Sequence, residues 1–398
     1  MEIVSVFLLM KFILNNNFNF MKLFIFLSLV MLLFQCEVPI QQNQTWAFPY
    51  FEKVDSLNPI LEPSETLKFI DPMTLNEVAW EERNVLNPTA IVRNDTVFLL
   101  YRAQDKWGTS RIGMAISTDG IHFTKEQKPI FYPEKDAQTK QEWSLRKVEG
   151  EPYDLDCASC YFDGVEDPRI ILTEEGNYLM TYTAYNGKLA RLSSASSPDL
   201  LQWTKYGSVL KDEKYQDYWS KSGAIVTEII GNQQVAKKIN GKYWMYFGDT
   251  QLFMASSEDL IKWEAAINEE SGDLISVLHP RKGFFDSRLV EPGPYALYTE
   301  KGIILIYNAS NAANFNDPSL PKFTYAAGQA LFDKSAPFKL IDRMSSYFIY
   351  PDKDYEKVGE VNEVCFVEGL VFFNQKWFLY YGTADSKIAV AIYDPPKN

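Results

Sequence analysis

The 398-residue sequence predicts an all-β fold, specifically a five-bladed β-propeller. Aromatic residues make up 15% of the chain, a share that favours β-strands over a helical bundle. One pattern of paired short strands recurs five times, and no long amphipathic helix interrupts it. Repeats of this size, with turn residues between the strands, are typical of propeller blades. A two-sheet sandwich is the rival fold, but five matching units argue against it.

Each repeat joins an aromatic-rich strand, a polar turn and a second strand of small and apolar residues. The first three units read TVFLLYRAQDKWGTSRIGMAIS, NYLMTYTAYNGKLARLSSASS and KYWMYFGDTQLFMASS. The next begins GIILIYNAS, and the last reads KWFLYYGTADSKIAVAIYD. Another short apolar run precedes each unit, as in TAIVR and PRIILT. The pattern therefore predicts about three or four strands in each blade.

Three of the repeats close with an aspartate that is followed four residues later by an aromatic residue. We expect the aspartates to cap the turn before the outermost strand. We expect the aromatic rings to fill the space between neighbouring blades. Both sets are therefore structural: Asp119, Asp199 and Asp259, with Phe123, Trp203 and Trp263.

The N-terminus has the pattern of a targeting segment. In MKLFIFLSLVMLLFQC a lysine precedes about a dozen apolar residues, as in a secretory signal. LFQC resembles the lipobox of bacterial lipoproteins, although Gln35 replaces the usual small residue, and Cys36 is the candidate site of lipid attachment to a membrane. A transmembrane anchor is the alternative, but the run is short for a span. We interpret residues 1–40 as a signal of an exported protein, periplasmic or attached to the outer membrane of a bacterium, and residues 41–398 as the propeller.

Charge and composition exclude several classes of function. The net charge of −13 argues against nucleic acid or anionic lipid as the main partner. The two histidines, His122 and His279, are too few for a histidine-rich metal site and lie far apart. Cys157 and Cys160 form a CxxC without a second one, so an oxidised pair or two inert thiols is expected rather than a zinc site. We therefore expect neither a metal nor a cofactor.

Polar and ionic residues stand just before or within the predicted innermost strand of every repeat. Propellers bring the starts of these strands to one central funnel, and buried charges need a partner or a task. Five such sets at one place favour a binding or catalytic pocket. The residues are Asn87 in the first repeat, Glu166, Asp167 and Arg169 in the second, Lys221 and Ser222 in the third, Asp286, Arg288 and Glu291 in the fourth, and Asn362, Glu363 and Glu368 in the fifth.

These residue types are typical of a carbohydrate site. Aromatic rings stack on the apolar faces of sugars, and arginine and aspartate side chains bind sugar hydroxyls. Cleavage of a glycosidic bond needs a proton for the leaving oxygen and an activated nucleophile on the opposite face, which two carboxyl groups can supply. Carboxyl groups on different blades can stand far enough apart for a water molecule, which favours inversion of configuration.

Several motifs together resemble glycoside hydrolase family 130, a family of five-bladed propellers that act on β-mannosides. They are NPTAIV with LLYRAQD, then GVEDPRI, KSGAIV, HPRKGFFDSRLVEPGP and FLYYGTADSKIAVA. The similarity runs from about Asn87 to Tyr393. The resemblance implies that Asp167 of EDPR is the catalytic acid and donates its proton through a sugar hydroxyl. It also implies that Arg102 and Arg169 orient the sugar, although a structural salt bridge of Arg169 with Glu166 or Asp167 is the alternative.

The same family includes phosphorylases, which bind phosphate through basic residues and typically a histidine, and hydrolases, which place acidic residues there. Glu291 in VEPGP and Asp249 in MYFGD would repel a phosphate dianion and suit the activation of water. We interpret the chain as an exo-acting inverting β-mannosidase of manno-oligosaccharides, with the β-1,2 linkage as the first choice and other β-linkages open. Asp167 is the expected acid, Glu291 the base, and Asp249 its partner or the alternative base. The expected substrate-binding residues are Asn87, Arg102, Arg169, Lys221, Asp286, Arg288 and Glu363.

Three other interpretations stay open. A β-mannoside phosphorylase would use Lys221, Arg191 and Arg288 to hold phosphate. A non-catalytic glycan-binding propeller would bind sugar without turnover. Five-bladed enzymes that act on arabinans or fructans usually carry a catalytic aspartate in the first blade, which NPTAIV lacks. A homo-oligomer also stays open.

Overall fold

The structure, a computed structural model, describes residues 44–136 and 164–396. Within these residues it contains 25 strands and one helix of four residues, α1 (Asp354–Lys357). No helix of this part is long and apolar enough to cross a membrane. The targeting segment with Cys36 and the pair Cys157 and Cys160 lie outside the described residues.

The N-terminal part of the described chain forms a short strand and a hairpin that precede the blades. The strands are β1 (Glu52–Lys53), β2 (Ser64–Ile70) and β3 (Glu77–Glu81). Strands β2 and β3 pair with each other in an antiparallel sheet. Strand β1 belongs to the last blade, described below.

The first two blades are antiparallel meanders of four strands each. Blade one comprises β4 (Asn84–Arg93), β5 (Thr96–Gln104), β6 (Ser110–Ser117) and β7 (Thr124–Lys125). Blade two comprises β8 (Gly164–Leu172), β9 (Tyr178–Tyr185), β10 (Ala190–Ser197) and β11 (Thr204–Ser208). Strand β8 is buried along its whole length, as a strand covered on both faces by neighbouring blades must be.

Blades three and four follow the same order, with interruptions. Blade three comprises β12 (Ser222–Ile230), β13 (Gln233–Ala236), which turns back and pairs antiparallel with β12, then β14 (Tyr243–Gly248), β15 (Leu252–Ser257), β16 (Glu264–Ala265) and β17 (Ser276–Leu278). Blade four comprises a divided inner strand, β18 (Leu289–Pro292) and β19 (Ala296–Thr299), then β20 (Gly302–Ser310), β21 (Tyr325–Phe332) and β22 (Leu340–Arg343). Parallel pairing of β12 with β19 and of β13 with β8 links neighbouring blades.

Blade five is completed by the N-terminal strand, which closes the circle of blades. It comprises β23 (Cys365–Phe373), β24 (Lys376–Thr383) and β25 (Lys387–Tyr393), with β1 at its outer edge paired to β25. Lys53 of β1 donates to Glu356 at 2.7 Å, and both side chains are buried. The all-β, five-bladed propeller that the repeats predicted is therefore confirmed.

The turn motif behaves as predicted in all three repeats that contain it. Each aspartate accepts two main-chain N–H bonds through Oδ1, as when Asp199 accepts from Leu201 and Gln202 at 2.9 and 2.8 Å. Phe123 contacts the ring of Tyr380 on blade five, with centroids 5.8 Å apart. These residues therefore hold turns and fill the space between blades.

A buried ion cluster joins the hairpin to blade one. The Arg111 guanidinium lies 2.6 Å from Asp71 and 2.9 Å from Asp105, and all three side chains are at most 3% exposed. Because removing one member of such a group leaves a buried charge unpaired, the cluster fixes the hairpin against blade one.

Candidate active site

Irregularities in three inner strands expose side chains to the centre of the molecule. The pairing register shifts at Asn87 in β4, at Asp167 and Pro168 in β8, and at Glu368 in β23. A β-bulge leaves the extra residue unpaired and turns its side chain away from the regular alternation. Asn87 and Asp167 also have positive φ angles of 48° and 49°, a region that asparagine and aspartate adopt more readily than most residues.

The inner strands surround a cavity of about 110 Å³ to which every blade contributes. The structure brings together five of the residues that the sequence selected, and it adds four that the sequence analysis missed. The selected residues are Asn87, Arg102, Asp167, Lys221 and Glu291, and the added ones are Tyr325, Val364, Phe366 and Asp385.

Asp167 is held by a neutral donor and several cations. Its Oδ1 accepts from Asn87 Nδ2 at 2.8 Å and from Arg102 Nη1 at 3.2 Å. Burial raises the pKa of this carboxyl, but the positive charges of Arg102, Lys221 and Arg169 outweigh that effect, so the pKa lies below its ordinary value. In the free site Asp167 is therefore ionised at neutral pH.

Arg102 binds both of the adjacent acids in the EDPR motif. Its Nη2 donates to Glu166 Oε1 at 2.7 Å, while Nη1 donates to Asp167. Ser110 supports the arrangement, because its Oγ accepts from Arg102 Nε at 2.9 Å and donates to Glu166 at 3.3 Å. One guanidinium therefore binds both adjacent carboxylates and fixes their positions.

Arg169 connects three blades beneath the cavity and does not line it. Its guanidinium lies 2.6 Å from Glu368 of blade five, and it donates to the main-chain oxygens of Pro292 and Gly293 of blade four at 3.0 and 3.1 Å. The ion-pair partner is thus Glu368 rather than the expected Glu166 or Asp167. The contact with Asp167 is a hydrogen bond of 2.8 Å to its main-chain oxygen.

Glu291 is a buried carboxyl with an elevated pKa. Burial raises the pKa to about 8, and the nearby Asp167 charge acts in the same direction, against the opposing charges of Arg169 and Lys221. Ser222 Oγ donates a hydrogen bond to Glu291 Oε1. Most Glu291 carboxyl groups are therefore protonated at neutral pH in the free site.

Lys221 and Asp385 complete the charged lining. Burial lowers the pKa of Lys221, but the carboxylates Glu166, Asp167 and Glu291 more than offset this, so the pKa is raised. Burial raises the pKa of Asp385 to about 6, with Asp167 adding to the shift. Asp385 follows β24, at the turn opposite the start of β23.

Asp286 lies away from the cavity in an ion cluster of its own. The side chain is fully buried and lies 2.6 Å from Arg281 and 2.6 Å from Arg343. It also accepts from the Tyr307 hydroxyl at 3.0 Å. These partners use its hydrogen-bonding capacity, so its position fits a structural role in blade four.

The remaining selected residues lie at or beyond the rim. Asp249, just after β14, accepts from the indole N–H of Trp219 and from Thr250 Oγ1, and it does not line the cavity. Arg288 is exposed, with its guanidinium 5.2 Å from the centre of the Phe323 ring. Glu363 is partly exposed, and its main-chain oxygen accepts from Tyr325 at 2.9 Å.

Among residues 44–136 and 164–396, no group of three or more His, Cys, Asp or Glu side chains is arranged to hold a metal ion. The charged groups that line the cavity are the carboxyl groups of Asp167, Glu291 and Asp385 and the cations of Arg102 and Lys221.

Sequence comparison finds relatives that act on mannosides. A family model described as beta-1,4-mannooligosaccharide phosphorylase, Glyco_hydro_130, matches residues 53–395. The chain is 31% identical over 334 residues to a 1,2-beta-oligomannan phosphorylase of Thermoanaerobacter sp. (strain X514), with 81% of this chain and 93% of that protein covered.

Two solved structures are similar at higher identity. A glycosyl hydrolase from Bacteroides ovatus shares 43% identity and a TM-score of 0.81, with 89% of this chain and 96% of that chain covered. The second shares 44% identity and a TM-score of 0.81, with 88% and 96% covered. Its report states that the GH130 family of mannoside phosphorylases contains glycoside hydrolases that target β-1,2 mannosidic linkages in Candida mannan.

Proposed function

The chain belongs to glycoside hydrolase family 130, and from this premise we propose that it is an exo-acting, inverting hydrolase of β-1,2-linked manno-oligosaccharides. The choice of a mannoside follows from the family, in which phosphorylases and hydrolases of β-mannosides both occur. The β-1,2 linkage is supported by the activities named for the Thermoanaerobacter relative and in the report on the second structure.

The charge of the cavity carries the choice of hydrolysis over phosphorolysis. Three carboxyl groups, those of Asp167, Glu291 and Asp385, line it, against the two cations Arg102 and Lys221. A phosphate dianion that entered beside these carboxyl groups would be repelled by every one that is ionised. Water carries no charge and meets no such barrier.

The other basic residues that would favour phosphate are not available in the cavity. Arg191 is buried and lies 2.8 Å from Asp217, so a carboxylate already neutralises it. Arg288 is exposed and lies against Phe323. Neither side chain lines the cavity. Lys221 is therefore the one cation of the three expected for phosphate that lies in the lining.

We assign Asp167 as the acid and Glu291 as the base. They line the same cavity from blades two and four, which are not adjacent. We infer that their carboxyl groups stand far enough apart for a water molecule, as inversion requires. Since Asp249 does not line the cavity, we assign the base to Glu291 alone. Following the family resemblance, Asp167 donates its proton through a sugar hydroxyl to the glycosidic oxygen, while Glu291 takes a proton from the attacking water.

The pKa directions in the free site are opposite to these roles, because Asp167 is ionised and Glu291 is protonated. The reactive form, with the proton on Asp167, has the same number of protons as the resting form. It is therefore a minor tautomer of the resting site rather than another ionisation state. Two coupled carboxyls titrate as a pair, so the pair, not one residue, defines the limbs of the pH profile.

The test is incubation of the chain from residue 41 with β-1,2-mannobiose and β-1,4-mannobiose, with and without millimolar phosphate. We expect mannose from the β-1,2-linked substrate in both conditions, first as the α-anomer by NMR. Asp167→Asn is the matched control and should lose this activity. Mannose 1-phosphate formed only with phosphate would establish a phosphorylase instead. Sugar binding without turnover by the native protein would favour the glycan-binding interpretation.

We also propose that residues 1–40 direct export and that residues 41–398 form the catalytic domain. The proposal rests on the lysine and apolar run before Cys36. Labelling of the full chain with palmitate in a bacterial host tests it. Incorporation that is lost in Cys36→Ser would support a lipid anchor, whereas release of unlabelled protein would support a cleaved signal.

A further inference from the structure

An exposed aromatic cluster lies in and around the segment just before Lys221, which lines the cavity. Trp219 is 40% exposed and Tyr218 is 36% exposed, in the segment that leads into Lys221. The Trp219 ring meets Tyr185 edge to face, with centroids 6.4 Å apart, and Tyr218 meets Phe253 in the same way at 5.2 Å. Neighbouring aromatic residues that remain this exposed indicate a ligand-binding surface rather than a packing contact.

The orientation of the Trp219 ring is fixed by a carboxylate. Its indole N–H donates to Asp249 Oδ2, and the other oxygen of Asp249 accepts from Thr250 Oγ1 at 3.0 Å. A tryptophan whose single donor is bound in this way has one preferred ring orientation, and Trp219 remains 40% exposed in it.

The loop that carries Asp249 contacts two strands, β18 with the proposed base Glu291 and β12 with Ser222. Gly248, which precedes Asp249, pairs with Ser222, the residue that donates to Glu291. The main-chain oxygen of Thr250 accepts from Val290 N at 3.1 Å, one residue before Glu291. Trp219 precedes β12, and Asp249 follows β14. Because β12 begins where β14 ends, both residues lie at the same end of blade three. This is the end at which Lys221 lines the cavity.

The size of the cavity decides which part of a substrate meets this cluster. About 110 Å³ is well below the roughly 300–1,000 Å³ of pockets that enclose drug-sized ligands. An enzyme that removes terminal sugars places the terminal residue deepest, so the rest of the chain must leave through the mouth.

We propose that Trp219 is the platform that stacks on the first sugar of the leaving group, and that Asp249 is the positioning residue that fixes its ring. The inference rests on the proposed function for the identity of the sugar. The apolar face of a mannose ring would lie on the indole, as sugars lie on aromatic faces elsewhere. This interaction is the same in the ground state and the transition state, so it contributes to KM rather than to kcat.

The kinetic test compares two substrates in one variant. β-1,2-Mannobiose uses the platform, whereas β-mannosyl fluoride has no sugar in the leaving group. We expect Trp219→Ala to raise KM for mannobiose about tenfold, which equals ~1.4 kcal/mol of binding free energy, with kcat nearly unchanged. Both constants for the fluoride should stay at the native values. Equal losses on both substrates, or no loss on mannobiose, would overturn the proposal.

Two further variants separate the platform from its support. Asp249→Asn keeps an acceptor oxygen for the indole and should restore most of the affinity that Asp249→Ala loses. Phe338→Ala is the matched control, because Phe338 is also an exposed aromatic residue but lies between β21 and β22, at the end of blade four away from the cavity. Equal KM values in Asp249→Ala and the native protein would remove Asp249 from the proposal.

A binding measurement keeps the test independent of turnover. Calorimetry with β-1,2-mannobiose in the Asp167→Asn background gives the dissociation constant without cleavage. Adding Trp219→Ala should weaken it about tenfold. If the native protein releases no mannose, the proposed function fails, but this titration still tests whether Trp219 binds the sugar. An unchanged dissociation constant, or no binding of mannobiose at all, would overturn the platform.

Discussion

The raised pKa of Glu291 makes the pH dependence of the reaction the sharpest test of the assigned roles. With a pKa of about 8, about a tenth of Glu291 is ionised at pH 7 and about nine tenths at pH 9. An aryl β-mannoside with a very good leaving group needs no acid, so its rate should follow the ionised base alone. We therefore expect kcat/KM for this substrate to rise about tenfold between pH 7 and pH 9.

Asp167→Asn is the perturbation that tests the cause of the shift. The Asp167 charge is one of the groups that raise the pKa of Glu291, so its removal lowers that pKa. The variant should retain activity on the activated aryl mannoside, lose it on mannobiose, and reach half of its maximal rate at lower pH than the native protein. Glu258→Gln is the control, because Glu258 is exposed and lies in the turn after β15, at the end of blade three away from the cavity.

The assay is initial rates of aryl release across pH 5 to 10 for the native protein and both variants. A midpoint near the ordinary glutamate value of 4.5 in the native protein would refute the burial argument. An unchanged midpoint in Asp167→Asn would show that the two carboxyls do not interact. If Glu291→Gln instead retains activity on the aryl mannoside while Asp167→Asn loses it, the acid and base are exchanged.

Two other predictions concern the stability of the propeller. Arg111→Met leaves two buried aspartates unpaired and should lower the free energy of unfolding by about 3–5 kcal/mol in urea titrations. Lys68→Ala removes the exposed ion pair with Glu77 and should change the free energy of unfolding by at most ~1 kcal/mol. Equal losses in Arg111→Met and Lys68→Ala would contradict the role of burial. In Gly248→Ala the new Cβ would lie 2.2 Å from the main-chain oxygen of Gln251 at a φ of +133°. This should lower the melting temperature more than Gly231→Ala, where φ is +66° and no atom lies within 4 Å, and an equal melting temperature would show that the turn relaxes.

The convergence of the inner strands was predictable because the site residues share a local signature. In each inner strand one polar residue at or near the cavity stands directly before a proline or glycine, where the strand bulges, ends or tolerates close approach of another chain. The polar residue near the start of each inner strand can therefore be located from the sequence alone. The dipeptides are Asn87-Pro88, Asp167-Pro168, Ser222-Gly223, Glu291-Pro292 and Glu368-Gly369. The lining residues Arg102 and Lys221 do not share this signature.

Asp385 was missed because its repeat position usually has a structural task. In every repeat the second strand ends near an aspartate or asparagine, and in the first two repeats this side chain, Asp105 or Asn186, caps its own turn. Asp105, for example, accepts from the main-chain N–H groups of Trp107 and Thr109 at 2.9 and 3.1 Å. Asp385 lines the cavity instead. A repeat comparison alone does not distinguish the two outcomes.

The placement of Asp286 shows the opposite limit of sequence analysis. The motif FDSR puts this aspartate near the start of an inner strand, as in the other repeats. Its partners are Arg281, five residues before it, and Arg343, 57 residues after it. Arg343 ends β22, and only the pairing of β22 with β21 in blade four brings it to Asp286. The pattern of one segment could therefore not identify the ion cluster.

The raised pKa values themselves support water as the nucleophile. Of the described residues in and beneath the cavity, five are carboxyl groups and three are cations, and burial raises the pKa of three of the carboxyls. Because the cations cannot neutralise all of the carboxylates, the surplus takes up protons near neutral pH. A phosphate dianion would enlarge the same surplus and require further protonation, whereas water leaves it unchanged. The carboxyls are Glu166, Asp167, Glu291, Glu368 and Asp385, and the cations are Arg102, Arg169 and Lys221.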